Sequence, residues 1–216
     1  MLAAARREPS AVLLAAQLAA VLLYPFTEGS DVGRAVFSVL GIAILALVLL
    51  ALRSSPFVTW VGVLLGIPAT VLLMIQAVTV SDDLQPYSSA LEALLYFYAA
   101  GAMIAYMLAD HVITRDELFA VGATFTLLAW GFAYAFLVVQ AIEPQSFTAA
   151  VNPQHDRTWV EVLFLSFTTL TSTGLSDVVP VKPFARGLVM IEQLAGLAYV
   201  AMLVSRLVAL TVLARR

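Results

Sequence analysis

A hydroxyl-rich segment in the C-terminal third of the chain has the residue types needed to coordinate a cation. It follows a short apolar stretch, Trp159 to Leu170, and comprises Thr171, Ser172, Thr173, Gly174, Leu175 and Ser176. Hydroxyl and backbone carbonyl oxygens arranged in rings can replace the hydration shell of a cation. One chain supplies only one side of such a ring. The segment therefore predicts a cyclic homo-oligomer in which several copies surround one axis.

The composition of the whole chain indicates an integral membrane protein. Of its 216 residues 62% are hydrophobic and only 12% are charged, and the mean hydropathy is +0.98. A net charge of −3 provides no basic field for nucleic acid. The absence of cysteine, with only two histidines, excludes thiolate metal sites and cysteine nucleophiles. No nucleophile, base and orienting group recur at a spacing typical of an enzyme, so we expect neither catalysis nor a bound cofactor.

Six apolar runs approach the roughly 20 residues that a helix needs to cross a bilayer. They are Ala11 to Phe26, Val32 to Leu52, Phe57 to Val80, Pro86 to Ala109, Leu118 to Ile142 and Phe184 to Leu213. The stretch Trp159 to Leu170 is too short to span. Non-helical backbone at membrane depth is tolerated only where protein buries it or water lines it. The short stretch and the hydroxyl-rich segment are therefore predicted to form a re-entrant loop.

The distribution of basic residues predicts that both termini are cytoplasmic. Arg6 and Arg7 precede the first span, and Arg215 and Arg216 follow the last. Placing these residues inside puts most of the Lys and Arg residues on the cytoplasmic side, as the positive-inside rule requires.

The order and spacing of residues 164–180 carry a family resemblance. The run Phe164-Leu165-Ser166-Phe167-Thr168-Thr169-Leu170-Thr171-Ser172-Thr173-Gly174-Leu175-Ser176-Asp177-Val178-Val179-Pro180 resembles the pore helix and selectivity filter of tetrameric potassium channels, commonly YFS-x-x-TLTTVGYGD-x-x-P. Residues of the sixth span, among them Glu192, Gly196 and Tyr199, are similar to those of bacterial members of that superfamily. The resemblance covers about the last hundred residues.

The resemblance implies an all-α membrane protein with six transmembrane helices, a re-entrant pore helix and a filter loop, assembled as a homotetramer in a bacterial-type plasma membrane. Residues 1–110 would form a four-helix transmembrane domain, 111–117 an interfacial linker and 118–216 the pore domain. The implied function is that of a cation channel.

The filter itself departs from the family pattern. Ser172 to Ser176 read STGLS where potassium channels have TVGYG, so the tyrosine and the second glycine are missing. Glycine permits backbone conformations that are costly for residues with a Cβ atom, and Ser176 should disfavour the usual outer-filter geometry. Thr171, Ser172, Thr173 and Gly174 remain as the expected ion-binding oxygens. We therefore expect weakened potassium selectivity, with K⁺ and Na⁺ as the permeant ions.

Other residues receive roles from the same resemblance. Asp177 would form a ring at the outer mouth, and Glu161 and Glu192 would support the filter. Gly196 could act as a gating hinge or allow close helix packing, and these alternatives stay open. The residues expected along the inner cavity or gate are Gly196, Leu197, Val200 and Val204.

The fourth span, Pro86 to Ala109, contains no basic residue, so voltage sensing through this helix is not expected. Glu92, near its outer start, is predicted to be solvated or paired at the membrane interface. Gating is expected to act through the membrane helices, the filter or a separate regulatory protein. The alternative function is a non-conducting structural or partner-binding membrane protein that retains the channel scaffold.

Overall fold

The computed structural model describes residues 8–27, 59–79, 84–109 and 114–213, together with six residues between 41 and 48. Its helices are α1 (Pro9–Thr27), α2 (Thr59–Thr79), α3 (Gln85–Leu108), α4 (Arg115–Ile142), α5 (Trp159–Leu170) and α6 (Pro183–Leu213). Two short strands, β1 (Phe147–Thr148) and β2 (Val179–Pro180), lie between α4 and α6. Most of the predicted span Val32 to Leu52 and residues 111–113 of the predicted linker lie outside the described residues.

Long apolar helices dominate the described part of the chain. By length and composition, the segments Gln85–Leu108, Arg115–Ile142 and Pro183–Val208 are able to cross a membrane. The apolar helices α1 and α2 contain 19 and 21 residues. The chain is thus an all-α membrane protein.

Helix α4 begins at Arg115, slightly earlier than the predicted start at Leu118. Its first turn contains Asp116 and Glu117, whose negative charges suit the positive end of a helix dipole. These acidic residues resemble a linker in the sequence, but their charge favours the first turn of a helix.

The chain divides into two compact units, residues 1–131 and 132–216. In the first unit α2 packs against α3, and Gln76 Nε2 donates a hydrogen bond of 2.9 Å to Ser88 Oγ. The rings of Tyr96 in α3 and Trp130 in α4 meet edge to face, with centroids 5.6 Å apart.

Helices α1 and α4 run in the same direction within the first unit. The backbone N–H and the hydroxyl of Ser10 donate to the carboxylate of Asp116, at 3.0 and 2.8 Å. Further along both helices, Leu14 lies against Gly122, where a Cβ atom would be only 2.9 Å from Leu14 Cδ2. Since both contacts advance with residue number, the two helices are parallel.

The second unit is organised around α5 and α6. Strands β1 and β2 pair antiparallel, with Phe147 opposite Pro180 and Thr148 opposite Val179. The pairing is extended by a 2.9 Å hydrogen bond from Val181 N to Ser146 O. It brings the segment that precedes α6 back beside the segment that follows α4.

Candidate functional site: the α5–α6 loop

A capping box starts helix α5. The N-cap residue Thr158 has an extended backbone, and its hydroxyl accepts the N–H of Glu161 at 3.4 Å. Glu161 reciprocates, because its Oε2 accepts the N–H of Thr158 at 2.7 Å. Two N–H groups that lack partners within the helix are thereby satisfied. Glu161 also places its negative charge at the positive end of the α5 dipole.

Arg157 organises the loop between α4 and α5. Its side chain is buried, and its guanidinium donates to the backbone oxygens of Val151, Asn152 and His155 and to the carboxylate of Glu161. The distance from Nη1 to Glu161 Oε1 is 3.2 Å. A planar guanidinium with five donors can satisfy several acceptors at once, which explains how this charge is buried.

The same arginine is tied to α4 through its backbone. Gln140 Oε1 accepts the N–H of Arg157 at 2.7 Å, and Gln140 Nε2 donates to the Arg157 carbonyl oxygen at 3.0 Å. No role for Arg157 is predicted from the sequence. Every residue has a backbone carbonyl oxygen, so the sequence does not show which of them accept hydrogen bonds from Arg157.

Helices α5 and α6 run in the same direction. Ser166 contacts Glu192, 26 residues later, and Leu170 contacts Gly196 at the same separation. A chain that leaves α5 and then enters a second helix parallel to it must first return along the length of α5. Residues 171–182 make that return, and β2 within them pairs with β1. The short helix and the loop thus have the geometry of a re-entrant segment.

Four successive N–H groups of the returning loop point back to the end of α5. The N–H groups of Thr173 and Gly174 both donate to Thr168 O, at 3.0 and 3.2 Å. Those of Thr171 and Ser172 donate to the carbonyls of Phe167 and Thr169, at 3.1 and 3.0 Å. No carbonyl of residues 171–174 accepts a hydrogen bond within the described part of the chain.

The backbone of residues 171–174 alternates in handedness. Thr171 is right-handed (φ −81°, ψ −5°), Ser172 is left-handed (φ 57°), and Gly174 is left-handed (φ 64°) with Thr173 between them at negative φ. Alternation of this kind turns successive N–H groups to one side of the chain and leaves their carbonyls facing the other side. Left-handed geometry at a serine costs of order 1–3 kcal/mol and is typical of functional loops.

The hydroxyls of Thr171 and Thr173 bond to the end of α5, as the loop N–H groups do. Thr171 Oγ1 is 3.0 Å from Thr173 Oγ1 and donates to Phe167 O at 2.7 Å. Both side chains are exposed. The loop therefore offers the backbone carbonyl oxygens of residues 171–174 and two exposed hydroxyl groups, without any carboxylate, a donor set that suits a weakly held monovalent cation.

The outer part of the loop differs from residues 171–174. Neither Leu175 nor Ser176 has a positive φ, and Ser176 Oγ accepts the N–H of Val178 at 3.0 Å. The side chain of Leu175 is 76% exposed, and Asp177 is exposed next to it. The alternation of handedness therefore stops after Gly174.

Glu192 and Gly196 lie at the contact between α6 and α5. Glu192 is fully buried, and Ser166 Oγ donates to its Oε1. At Gly196, an added Cβ atom would collide with Leu170 O and lie 2.8 Å from Leu170 Cα. The structure thus gives Gly196 a packing role, since only a residue without a side chain lets α6 approach α5 so closely.

The remaining residues predicted for the inner cavity are exposed in the single chain. Leu197 is 65% exposed, Val204 is 54% exposed and Val200 is 48% exposed. They follow the contact with α5 along α6 and are not part of its buried stripe. Their role in a gate stays a prediction.

Residues 122–212 match the family model described as "Ion channel". The matched segment holds most of α4, the capping box, α5, the oxygen-lined loop and nearly all of α6, which is less than half of the 216 residues. No curated protein and no solved structure matches the chain. The match supports an ion-channel family for the part of the chain that contains the candidate site.

Proposed function

We propose that this protein is a homotetrameric cation channel of the potassium-channel superfamily. The observation that carries the proposal is the orientation of residues 171–174, whose N–H groups bond to the end of α5 while their carbonyls accept none within the described residues. Free carbonyls on one side of a re-entrant loop are the groups that substitute for the water around a permeating ion.

The permeant ions are monovalent, and their binding oxygens are those of Thr171, Ser172, Thr173 and Gly174. The discrimination of K⁺ from Na⁺ is weakened, because the alternating backbone ends at Gly174 and offers fewer ordered sites. Asp177, at the exposed end of the loop, attracts cations to the outer mouth. No other cofactor takes part.

Four copies complete the ring of oxygens, and each copy has six transmembrane helices. The exposed apolar side chains of α6, including Leu194 at 68%, provide surfaces that lipid and neighbouring copies cover. The parallel course of α1 and α4 supports the predicted topology, in which they are the first and fifth spans. The direction of the chain reverses at each span, so the first, third and fifth spans all cross the membrane in the same direction.

The channel does not sense voltage through α3, which has no basic residue. A stimulus reaches the pore through the membrane helices, the loop or a separate regulatory protein. Both termini are cytoplasmic, and the protein resides in a bacterial-type plasma membrane.

Ion flux from purified protein in liposomes tests the proposal. Imposed gradients of K⁺, Na⁺ and a large organic cation are compared, and we expect K⁺ and Na⁺ to pass while the organic cation does not. The variant Thr173→Val with Leu175→Tyr and Ser176→Gly should favour K⁺ more strongly, because it restores the residue types of a potassium-selective filter.

Absence of flux from assembled wild-type tetramers, with flux from the triple variant, would refute the channel and favour the non-conducting scaffold. Flux of all three cations at similar rates would refute ion binding by the loop oxygens, since a wide aqueous pathway needs no such sites.

A further inference from the structure

Helix α6 contacts its own subunit along a single stripe. The buried residues of this stripe recur every three or four positions and are Ala185, Val189, Glu192, Gly196 and Tyr199. Between Pro183 and Val208, the other residues of α6 are half-buried or exposed. Glu192 is the ionisable carboxyl group in the stripe. A carboxyl group costs free energy to bury, so its position calls for a specific partner.

The partner of Glu192 is a hydroxyl on α5. Ser166 is fully buried, and its Oγ donates to Glu192 Oε1, while Glu192 Oε2 has no hydrogen-bond partner among the described residues. This hydroxyl is therefore the described polar contact that holds the carboxyl group in place. Removing the Ser166 hydroxyl leaves the carboxyl group of Glu192 buried without this hydrogen bond, which is the costly case for a buried polar group.

Ser166 lies next to the residues that hold the loop. The carbonyls of Phe167, Thr168 and Thr169, the three residues that follow it, accept the N–H groups of residues 171–174. One turn further along α6, Gly196 touches Leu170 at the end of the same helix. Glu192 and Gly196 thus contact α5 on both sides of the carbonyls that orient the loop.

We propose that Glu192 is a positioning residue for the oxygen-lined loop and acts through Ser166. The bond between them sets the place of the last turn of α5 against α6, and that turn sets the direction of the loop carbonyls. A change in the pair therefore alters which cations pass, while a change at Val189, which does not touch the end of α5 through a hydrogen bond, alters stability alone. The inference deepens the proposed channel function and rests on it for its flux measurement.

Four variants isolate the pair. Ser166→Ala removes the donor. Glu192→Leu removes the acceptor and replaces it with an apolar side chain of similar size. Glu192→Gln keeps an oxygen that can accept the Ser166 hydroxyl. Val189→Ala, one turn before Glu192 on the same stripe, is the matched control because it removes packing and no hydrogen bond.

The readout is the set of permeabilities of Na⁺, Rb⁺ and Cs⁺ relative to K⁺. We expect Ser166→Ala and Glu192→Leu each to change at least one ratio by about threefold or more, since loss of a buried hydrogen bond is worth more than that factor. The double variant should show the same permeability ratio as the single variants, because both changes remove the same hydrogen bond between Ser166 and Glu192. Glu192→Gln and Val189→Ala should stay near wild type. If Glu192→Leu does not assemble, Ser166→Ala alone decides.

Wild-type ratios in Ser166→Ala, or a change of equal size in Val189→Ala, would overturn the proposal. A second measurement does not depend on flux: the ¹³C chemical shifts of the carbonyls of residues 171–174 in lipid bilayers. These shifts should change in Ser166→Ala and remain unchanged in Val189→Ala. Wild-type protein without flux would count against the channel function, whereas carbonyl shifts unaffected by Ser166→Ala would count against the positioning role.

Discussion

Replacing Gly196 by alanine tests whether this glycine serves packing or bending. In the structure its Cβ position collides with the carbonyl oxygen of Leu170 and lies within 2.9 Å of the Leu170 carbonyl carbon. These atoms belong to backbone that carries the loop and cannot rotate away as a side-chain end would. Forcing an extra carbon into such a contact typically costs about 1–3 kcal/mol.

The stability change should be measurable as a melting temperature. For a chain of this size, 1 kcal/mol corresponds to roughly 2–4 °C, so Gly196→Ala should melt about 2–12 °C below wild type. Thermal unfolding of the detergent-solubilised protein, followed by tryptophan fluorescence and loss of the oligomer, provides the assay. Ion flux should fall as well, because the displaced backbone holds the loop.

Gly187, in the same helix, is the matched control. No atom lies within 4 Å of its Cβ position among the described residues, so Gly187→Ala should leave flux unchanged. Its helix propensity improves by up to about 1 kcal/mol, and its melting temperature should be equal or higher. A Gly196→Ala protein as stable as Gly187→Ala, but with altered opening, would refute the packing argument and favour a hinge.

Three further predictions concern contacts that lie within one or the other unit. Arg157→Lys should expose the loop between α4 and α5 to limited proteolysis, because an ammonium group cannot replace the planar donor set, and undiminished protection would contradict the buried cluster. Thr158→Ala should cost about 1 kcal/mol of stability through loss of the N-cap, visible in the melting temperature, whereas Thr148→Ala should not. Asp116→Ala should cost about 1–3 kcal/mol, since it leaves Ser10 without its acceptor, and an unchanged melting temperature would contradict that contact.

Part of this architecture is readable from the sequence because it depends on local pattern. The apolar run Trp159 to Leu170 has the same bounds as helix α5, and Thr158 with Glu161 has the spacing of a capping box. Asp116 and Glu117 also suit a helix start, but residues 111–117 are predicted as a linker, and the helix begins at Arg115. Such features involve residues within one turn of each other.

Contacts across long separations were less accessible to sequence reasoning. Glu92 is predicted to be solvated or paired at the membrane interface, and the structure shows that its side chain is buried, because α3 is covered by helices that no local pattern places around it. The choice of Ser166 as the partner of Glu192 depends on the rotation of α6 about its axis. The role of Gly196 stays open in the sequence for the same reason, since the atom that crowds it belongs to another helix.

The single stripe by which α6 holds to its own subunit has a consequence for assembly. In water, so much exposed apolar surface would itself drive copies together, but lipid tails are as apolar as leucine and remove that driving force. In the proposed tetramer, a cation held among four loops binds the assembled state and not the separate chains. By mass action the permeant ion would then act as an assembly factor, and the lifetime of the oligomer would rise with the salt it conducts.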